Sequence, residues 1–252
     1  MDPAYYVAAG SLNARSLQLE VLANNLANAS TVGYKSERSF FQVFNKAIGS
    51  SRGLARTRDV NDGTVLAQRG LDMSQGAIKP TGRSLDLAIE GDGFFTVRTR
   101  DGVRVTRDGR FKLGQGGELQ AQDGSTVLGK NGQALRLDPA LPVVSVGADG
   151  TIIQGPNQQE LNTVGQLDLK SFADPSALSR SGMLRFDPAG QREVPAKGTV
   201  AQGYLEQSGV DVAASMVEMI RINRLFEMSL KVASTLSNDL DARSINDVGG
   251  LR

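Results

Sequence analysis

The chain has 252 residues, of which 28 are basic and 27 acidic, so its formal net charge is +1. A protein whose main partner is nucleic acid or an acidic membrane surface usually carries a basic excess, and this chain has none. Cysteine and histidine are both absent, which excludes a Ser-His-Asp triad, a Cys-His site and the usual zinc ligands.

The first predicted element is a helix over residues 4–28, whose apolar residues recur at helical spacing and are interrupted by Arg15. The helix should end near Asn28, because residues 29–33 continue it poorly and Gly33 suits a turn. No apolar run follows the first basic residue, and no uncharged stretch is long enough to span a bilayer. We therefore expect no cleaved secretory leader and no membrane insertion. The apolar stripe consists of Tyr5, Ala8, Leu12, Leu19, Leu22 and Leu26.

The middle of the chain is predicted to be β-structure. Residues 34–80 have glycines scattered among polar residues, which indicates an extended connector with short strands. Residues 85–170 have short apolar runs separated by Asp-Gly pairs, which favours a small antiparallel sandwich or barrel. Residues 171–200 indicate a loop with one stray strand. The Asp-Gly pairs lie at 92–93, 101–102, 108–109, 123–124 and 149–150, and the strand-like runs at 85–89, 94–99, 103–106, 111–113, 126–128, 143–146, 151–153 and 164–169.

Phe94 and Phe95 are adjacent in one predicted strand, and successive side chains of a strand face opposite sides. Both rings are core candidates, as is Phe111. At least one of the adjacent pair should therefore meet a second surface, either the connector or another subunit. We expect the loss of one ring to lower stability and the loss of the other mainly to impair assembly.

The last predicted element is a helix over residues 211–241, with Ser208 or Asp211 as its N-cap. A heptad seam with alternating steps of four and three runs along it, and most of the seam positions are apolar. Residues 244–252 lie beyond the seam and are predicted to be a tail. The seam consists of Val212, Met216, Met219, Asn223, Phe226, Leu230, Ala233, Ser237 and Leu240.

The predicted fold class is α+β, with the N- and C-terminal helices pairing in a coiled-coil-like domain and a central antiparallel β domain. The predicted divisions are residues 1–33 for the first helix, 34–80 for the connector, 81–207 for the β-rich outer domain and 208–252 for the second helix with its tail.

Two interpretations of the seam stay open. Packing inside the chain is the commonest fate of such a stripe. Ordering the helix, however, costs more conformational entropy than its buried seam side chains offset. Helical hydrogen bonds narrow this gap, and copies from neighbouring subunits could close it. Asn223 either sets the register of such packing or faces solvent.

No pattern in the chain points firmly to catalysis or to ligand binding. Gly91-Asp92-Gly93 lacks the third glycine and the helix of a dinucleotide site and indicates a tight turn before a strand. A glycosidase needs only two carboxylates, but the acidic residues here fall in turns or on helix faces. No EF-hand loop is present, and the glycosylation pattern at Asn28 coincides with a helix end. We expect no catalytic, cofactor-binding or metal-binding residue.

Four segments resemble the bacterial flagellar rod and hook proteins. They are residues 23–35 (ANNLANASTVGYK), 85–95 (LDLAIEGDGFF), 106–111 (TRDGRF) and 203–231 (GYLEQSGVDVAASMVEMIRINRLFEMSLK). Each segment is specific, their order is that of the family, and together they span nearly the whole chain. The resemblance implies a non-enzymatic axial subunit of the flagellar basal body.

The resemblance also implies how such a subunit works. It would be exported unfolded through the flagellar type III apparatus, enter the periplasm uncleaved, and polymerise with copies of itself and with other rod and hook subunits. Both terminal helices would form an inner α domain that lines the channel of a hollow, torque-transmitting rod, with the β domain outside it. The asparagines near the end of the first helix would cap its last carbonyls or bond to a neighbouring subunit. The predicted assembly residues are Leu12, Leu19, Leu22, Asn25, Leu26, Asn28, Val212, Met216, Met219, Asn223, Phe226 and Leu230.

Within the family, the length favours a rod subunit over the longer hook protein. Met1-Asp2 and Val127-Leu128-Gly129 resemble the proximal-rod members. Arg224-Leu225-Phe226-Glu227 departs from the Arg-Ala-Tyr-Glu that is common in distal-rod members, and Ser208-Gly209-Val210 departs from the family's usual Ser-Asn-Val. We expect a proximal-rod subunit, with a distal-rod subunit as the close alternative. The competing hypotheses are a peptidoglycan hydrolase and a β-domain binding module whose helices only dimerise.

Overall fold

The computed structural model describes residues 3–44 and 64–249. Two long helices lie towards the ends of the chain with strands between them, which confirms the α+β fold class. Residues 45–63 of the predicted connector and 250–252 of the predicted tail lie outside the described residues. The helices are α1 (Pro3–Ala27) and α2 (Val212–Gly249), and the strands are β1 (Glu37–Phe44), β2 (Thr64–Leu71), β3 (Ile78–Pro80), β4 (Leu87–Glu90), β5 (Phe94–Thr99), β6 (Gly102–Thr106), β7 (Phe111–Leu113), β8 (Leu119–Ala121), β9 (Thr126–Val127), β10 (Val143–Val146), β11 (Thr151–Gly155), β12 (Asn162–Gln166), β13 (Leu169–Phe172), β14 (Ser179–Arg180), β15 (Arg185–Asp187), β16 (Glu193–Pro195), β17 (Thr199–Gln202) and β18 (Tyr204–Glu206).

The described residues form two compact units. The β unit comprises Ala27–Ser36 and Leu71–Asp211. The helical unit contains α1 up to Leu26, β1, β2 up to Gly70, and α2. The chain therefore passes between the two units four times, and the stretch that follows α1 belongs to the β unit although most of that unit comes later in the sequence.

The sequence correctly predicts where α1 ends and where α2 begins. α1 ends at Ala27, and Gly33 turns the chain with a φ of +69°. α2 begins at Val212, directly after Asp211. The predicted tail is wrong as far as Gly249, because α2 continues to that residue. Residues 244–249 contain no proline, and a helix without one can run past the end of its apolar seam.

Nine strands of the β unit share its largest sheet, in the order β14-β15-β6-β5-β9-β8-β7, with β13 pairing with both β5 and β16. A second sheet contains β10, β11 and β12, while β17 pairs with β4 and β18 pairs with β3. These pairs are antiparallel. The predicted central antiparallel β domain is thereby confirmed.

Asp-Gly pairs mark several of the hairpins, as predicted. Asp101-Gly102 joins β5 to β6, Asp123-Gly124 joins β8 to β9, and Asp149-Gly150 joins β10 to β11, and in each case the two strands pair with each other. The Asp-Gly pairs at 92–93 and 108–109 lie between strands that pair elsewhere. Turn chemistry therefore predicts the local hairpins, whereas the pairing of distant strands depends on the whole unit.

The predicted loop at residues 171–200 is wrong, because β14, β15 and β16 lie in this range and β17 begins in it. β15 extends the main sheet beside β6, with Phe186 opposite Val105. These strands are only two to four residues long. Such short strands show no alternating pattern and depend on their partners rather than on local propensity. The sheet is consequently not complete within residues 85–170.

The main hydrophobic cluster of the β unit is built around Phe95 and Phe111. Their rings meet edge to face with centroids 5.1 Å apart, a favourable geometry for aromatic pairs. Leu87, Ile89 and Ile152 belong to the same cluster and are almost fully buried.

Phe94 lies in a second cluster, on the opposite side of β5 from Phe95, as predicted. Its ring centroid is 5.9 Å from those of both Phe172 and Phe186. The half-buried Leu71 and Met73 from the predicted connector pack against this cluster. The second surface is therefore inside the subunit. Both rings are buried, which differs from the expectation that one of them acts mainly in assembly.

Candidate assembly interface

The buried face of α1 does not coincide with the leucine stripe that is predicted to pack against a partner helix. Ala14, Val21 and Asn25 are buried, at steps of seven and four that place them on one side of the helix. The predicted leucine stripe lies roughly 120° around the helix from them, at about 100° per residue. Part of this apolar stripe is therefore still exposed in the subunit. Its described members, Leu12, Leu19, Leu22 and Leu26, are each half-buried.

Asn25 bonds to the main chain of β1. Its Nδ2 donates to the Glu37 carbonyl oxygen at 2.8 Å, and its Oδ1 accepts from the Glu37 N–H at 2.9 Å. This exchange of two bonds imitates a neighbouring strand, and it uses both the donor and the acceptor of the amide side chain. Both bonds lie within one subunit. A further role for Asn25 in assembly stays a prediction.

Asn28 closes the turn that follows α1. Its Oδ1 accepts from the Thr31 hydroxyl at 3.3 Å, and its carbonyl oxygen accepts from the Thr31 N–H at 3.1 Å. Asn28 is buried. Its polar groups therefore fix the first turn of the stretch that enters the β unit, and its predicted role in assembly is untested.

α2 exposes large apolar side chains over much of its surface. Among its described side chains, at residues 212–235, Ile222 is the buried one, with 1% of its surface exposed. Of the predicted seam, Met219 and Phe226 are half-buried, whereas Val212, Met216, Asn223 and Leu230 are exposed. Other exposed apolar residues on α2 are Val217, Ile220, Met228 and Val232.

The exposed apolar residues of α2 point to association. Contiguous apolar surface of this kind marks an interaction site more often than ordinary monomer surface. An amphipathic helix on a monomer usually turns a polar face to water. α2 instead shows apolar residues on both sides of the stripe that contains Ile222, so the buried stripe accounts for only part of its apolar surface.

Sequence analysis missed a buried charge cluster in the β unit, which consists of Lys35, Arg107 and Glu206 and is called the Glu206 cluster below. The Lys35 Nζ lies 2.6 Å from the Glu206 Oε1, and an Arg107 guanidinium nitrogen lies 3.3 Å from the Glu206 Oε2. The side chains of Lys35 and Glu206 are each 1% exposed. Lys35 and Glu206 stand 171 positions apart, so no local pattern could reveal their pairing.

Main-chain groups add further hydrogen bonds to the Glu206 cluster. Lys35 Nζ also donates to the Ser74 carbonyl at 2.7 Å, and the Gly76 N–H donates to Glu206 Oε1 at 2.9 Å. A Cβ atom at Gly76 would overlap the carbonyl of Gln207. Glycine at this position thus lets the main chain approach the carboxylate closely.

Burial lowers the pKa of the Lys35 ammonium below its ordinary value, and the charge of Glu206 opposes this shift. Burial also lowers the pKa of the Arg107 guanidinium, and the charge of Glu206 again opposes this shift. Two cations therefore share one buried carboxylate. Burying a charge is costly unless it is paired and hydrogen-bonded, so the arrangement depends strongly on Glu206.

Arg180 holds the same stretch of chain from β14. Its guanidinium lies 4.9 Å from the Tyr34 ring centroid and 5.5 Å from the Phe186 ring centroid. It donates to the Lys35 carbonyl at 2.6 Å. Tyr34 is buried. The chain from Gly33 to Ser36 is thus bound to the β unit by stacking and by hydrogen bonds.

The described residues do not support a catalytic centre. A cavity of about 600 Å³ in the β unit is lined by Asp149 and Asp168, among others. The hydroxyl and N–H of Thr151 lower the pKa of Asp149, whereas a glycosidase acid needs a raised one. In residues 3–44 and 64–249 there is no group of acidic residues that could hold a metal ion, and no helix there is long and apolar enough to cross a membrane.

The fold and the exposed helix together describe an α+β protein that has a folded β unit and an apolar helical surface available to other chains. Three family models match the sequence. They are described as a flagella basal body rod protein over residues 6–35, a flagellar hook protein FlgE/F/G D1 domain over residues 88–154, and a flagellar basal body rod FlgEFG protein C-terminal region over residues 201–246. The Glu206 cluster takes one residue from each matched region.

Curated relatives agree with these models. The chain is 32% identical to the flagellar basal-body rod protein FlgF of Rhizobium meliloti over 260 aligned residues, which cover all of both chains. It is 33% identical to FlgF of Caulobacter vibrioides, with 92% of each chain covered. It is 31% identical to FlgG of Bacillus subtilis, with 86% of this chain and 89% of the relative covered. The chain belongs to the flagellar basal-body rod protein family, whose members are structural proteins and not enzymes.

Proposed function

We propose that this protein is an axial subunit of the flagellar rod that polymerises through its terminal helices into a hollow, torque-transmitting structure. The observation that carries the proposal is the exposed apolar surface of α2 in a chain of the rod family. Its partners would be copies of itself and other rod and hook subunits. The family models, which cover rod and hook proteins alike, support this choice of partners.

The half-buried leucine stripe of α1 and the partly exposed seam of α2 would pair in a coiled-coil-like inner domain, within a subunit or between neighbours. Each helix has one buried stripe and further apolar residues beside it. In an assembly, these remaining residues are available for knobs-into-holes packing against a second helix. The predicted assembly residues on both helices therefore remain candidates for the assembly interface.

We assign the subunit to the proximal rod. The FlgF relative that matches the full length of both chains supports this assignment, as does Arg224-Leu225-Phe226-Glu227, which departs from the distal-rod pattern. FlgG relatives of similar identity favour the distal rod as the second candidate. In either position the subunit would reach the periplasm through the flagellar type III export apparatus.

Replacing Leu26 by aspartate tests the helical interface. The charge would enter an apolar stripe that assembly buries, where it would lack a partner. We expect the Leu26→Asp chain to be missing from isolated basal bodies and its host to be non-motile, while the β unit keeps its circular dichroism signal. Asn13→Asp, which places a carboxylate at an exposed position of the same helix, should assemble normally. Normal motility of the Leu26→Asp strain would contradict the proposal.

Complementation separates the two rod positions. The chain is expressed in two strains of a flagellated bacterium that have been made non-motile by deletion of the resident proximal-rod gene or of the resident distal-rod gene, respectively. We expect motility to return only in the first host. Rescue of the second host alone would assign the protein to the distal rod, and rescue of neither, with the chain exported, would contradict an axial role.

A further inference from the structure

Three stretches of the β unit that connect covalently to the helical unit are hydrogen-bonded to one another around Glu206. They are residues 33–36, 72–77 and 206–209, which flank the chain crossings after Ser36, Gly70 and Asp211. The linking bonds run from the Gly33 N–H to the Glu206 carbonyl, from the Asp72 N–H to the Ser36 carbonyl and from the Gln207 N–H to the Ala77 carbonyl, each at 2.8 Å. Each stretch is thus bound directly to both of the others.

The carboxylate of Glu206 lies at the centre of these three stretches. It accepts from Lys35 in the first stretch and from the Gly76 N–H in the second. It belongs itself to the third stretch. Arg107, from the loop after β6, donates to its other oxygen. A single buried side chain therefore contacts all three stretches and one strand end of the sheet.

Without this carboxylate, Lys35 and Arg107 would be two buried cations with no close counter-charge. Asp72 and Asp92 act on them only through longer-range attraction. Removing one member of a buried ion pair is strongly destabilising, because the remaining charge stays desolvated. The stretch that contains Lys35 could avoid this cost by leaving the β unit, since it is joined to the rest of that unit only through the helical unit.

We propose that Glu206 and Lys35 are positioning residues that order the three connecting stretches as one cooperative structure, which forms only when the buried ion pair forms. The sheet of the β unit does not require the pair, since its two hydrophobic clusters contain neither residue. The ion pair instead fixes how the chain enters and leaves the β unit. Its consequence for assembly rests on the proposed function, because α1 and α2 are joined to these stretches.

Amide hydrogen exchange on the full-length Glu206→Gln chain tests the proposal. Gly33, Asp72 and Gln207 report one stretch each, and none of their N–H groups bonds to the altered side chain. We expect all three protection factors to fall together by at least about tenfold. Leu119 and Leu128, whose N–H groups bond within the sheet region, should change by less than about twofold.

Glu193→Gln is the matched control. Glu193 pairs with Lys170 at the same 2.6 Å distance, but these side chains are 55% and 25% exposed. The control should leave all five amides unchanged, because an exposed pair contributes little. A second variant, Lys35→Gln, removes the cation instead and should loosen the same three amides.

Unchanged protection at Gly33, Asp72 and Gln207 in Glu206→Gln would overturn the proposal. So would a fall at only one of the three amides, since the stretches would then not be coupled. Equal loss at Leu119 and Leu128 in both Glu206→Gln and Lys35→Gln would also overturn it, by making the pair part of the general core. Basal-body incorporation is measured separately: a wild-type chain that never incorporates contradicts the proposed function and leaves the exchange result standing.

Discussion

Gly33 and Gly82 adopt nearly the same backbone conformation, with φ of +69° and +73°, in different surroundings. A Cβ atom at Gly33 would lie 2.6 Å from the Asp108 nitrogen, whereas one at Gly82 would meet nothing within 4 Å. Gly82→Ala should therefore cost only the strain of the left-handed conformation, about 1–2 kcal/mol. Gly33→Ala should cost more, because the main chain of residues 107–108 must also move.

Urea denaturation of the two variants checks this expectation, since the difference between their free energies of unfolding isolates the close approach at Gly33. Equal free energies would show that the stretch after α1 has room to shift at no cost.

Phe94 and Phe95 give a second prediction at the level of single residues. Each ring is buried in its own cluster, so replacing either by alanine should lower the free energy of unfolding by about 3–5 kcal/mol. Phe94→Ala should in addition weaken the Glu206 cluster, because the Arg107 guanidinium lies 5.1 Å from the Phe94 ring centroid. Thermal denaturation and exchange of the Gly33 amide measure the two effects, and wild-type stability of either variant would contradict the cluster assignment.

At the scale of the elements, α2 shows what apolar periodicity can and cannot predict. The seam chosen from the sequence passes through Asn223 and misses Ile222, the most buried residue described on this helix. The register through Ile222 contains Ser215 and Ser229, so it is less apolar than the predicted seam. When apolar residues extend around most of a helix, the pattern predicts that the helix is covered but not which stripe its own subunit covers.

Ile220 and Ile222 form a matched pair on α2, with 56% and 1% of their surfaces exposed. Ile222→Ala should destabilise the isolated subunit by about 2–4 kcal/mol, because it opens a cavity. Ile220→Ala should change that free energy by less than about 0.5 kcal/mol and should weaken polymerisation instead.

Chemical denaturation of the monomer and sedimentation of polymers separate the two effects. If Ile220→Ala polymerised like the wild type, the exposed surface of α2 would have no part in assembly.

The strands, like the helices, have features that the sequence predicts and features that it does not. Asp-Gly hairpins such as β5–β6 were predictable because turn chemistry and strand pattern lie within a few residues. β15 and β17 were not, since they pair with β6 and β4, which lie far earlier in the sequence. The Glu206 cluster belongs to this second kind: its residues look like isolated surface charges until the fold brings them together.

At the scale of the whole molecule, the two units differ in how much of their apolar surface they bury. The β unit contains both hydrophobic clusters, whereas Ile222 is the single buried side chain among those described on α2. In the isolated subunit, amides at residues 212–235 should therefore exchange faster than those of β5 and β6. Polymerisation should then slow exchange along α2. Strong protection of α2 in the monomer would contradict this expectation.

The separation of Lys35 and Glu206 in the sequence also determines when their ion pair can form. A chain that emerges N-terminus first presents Lys35 early and presents Glu206 only 171 positions later. Until Glu206 has emerged, the Lys35 ammonium has no carboxylate partner for burial in the β unit. The stretch after α1 therefore stays solvated. A truncated chain that stops before Glu206 could not form this ion pair. The ion pair can therefore form only after nearly all of the β unit has emerged.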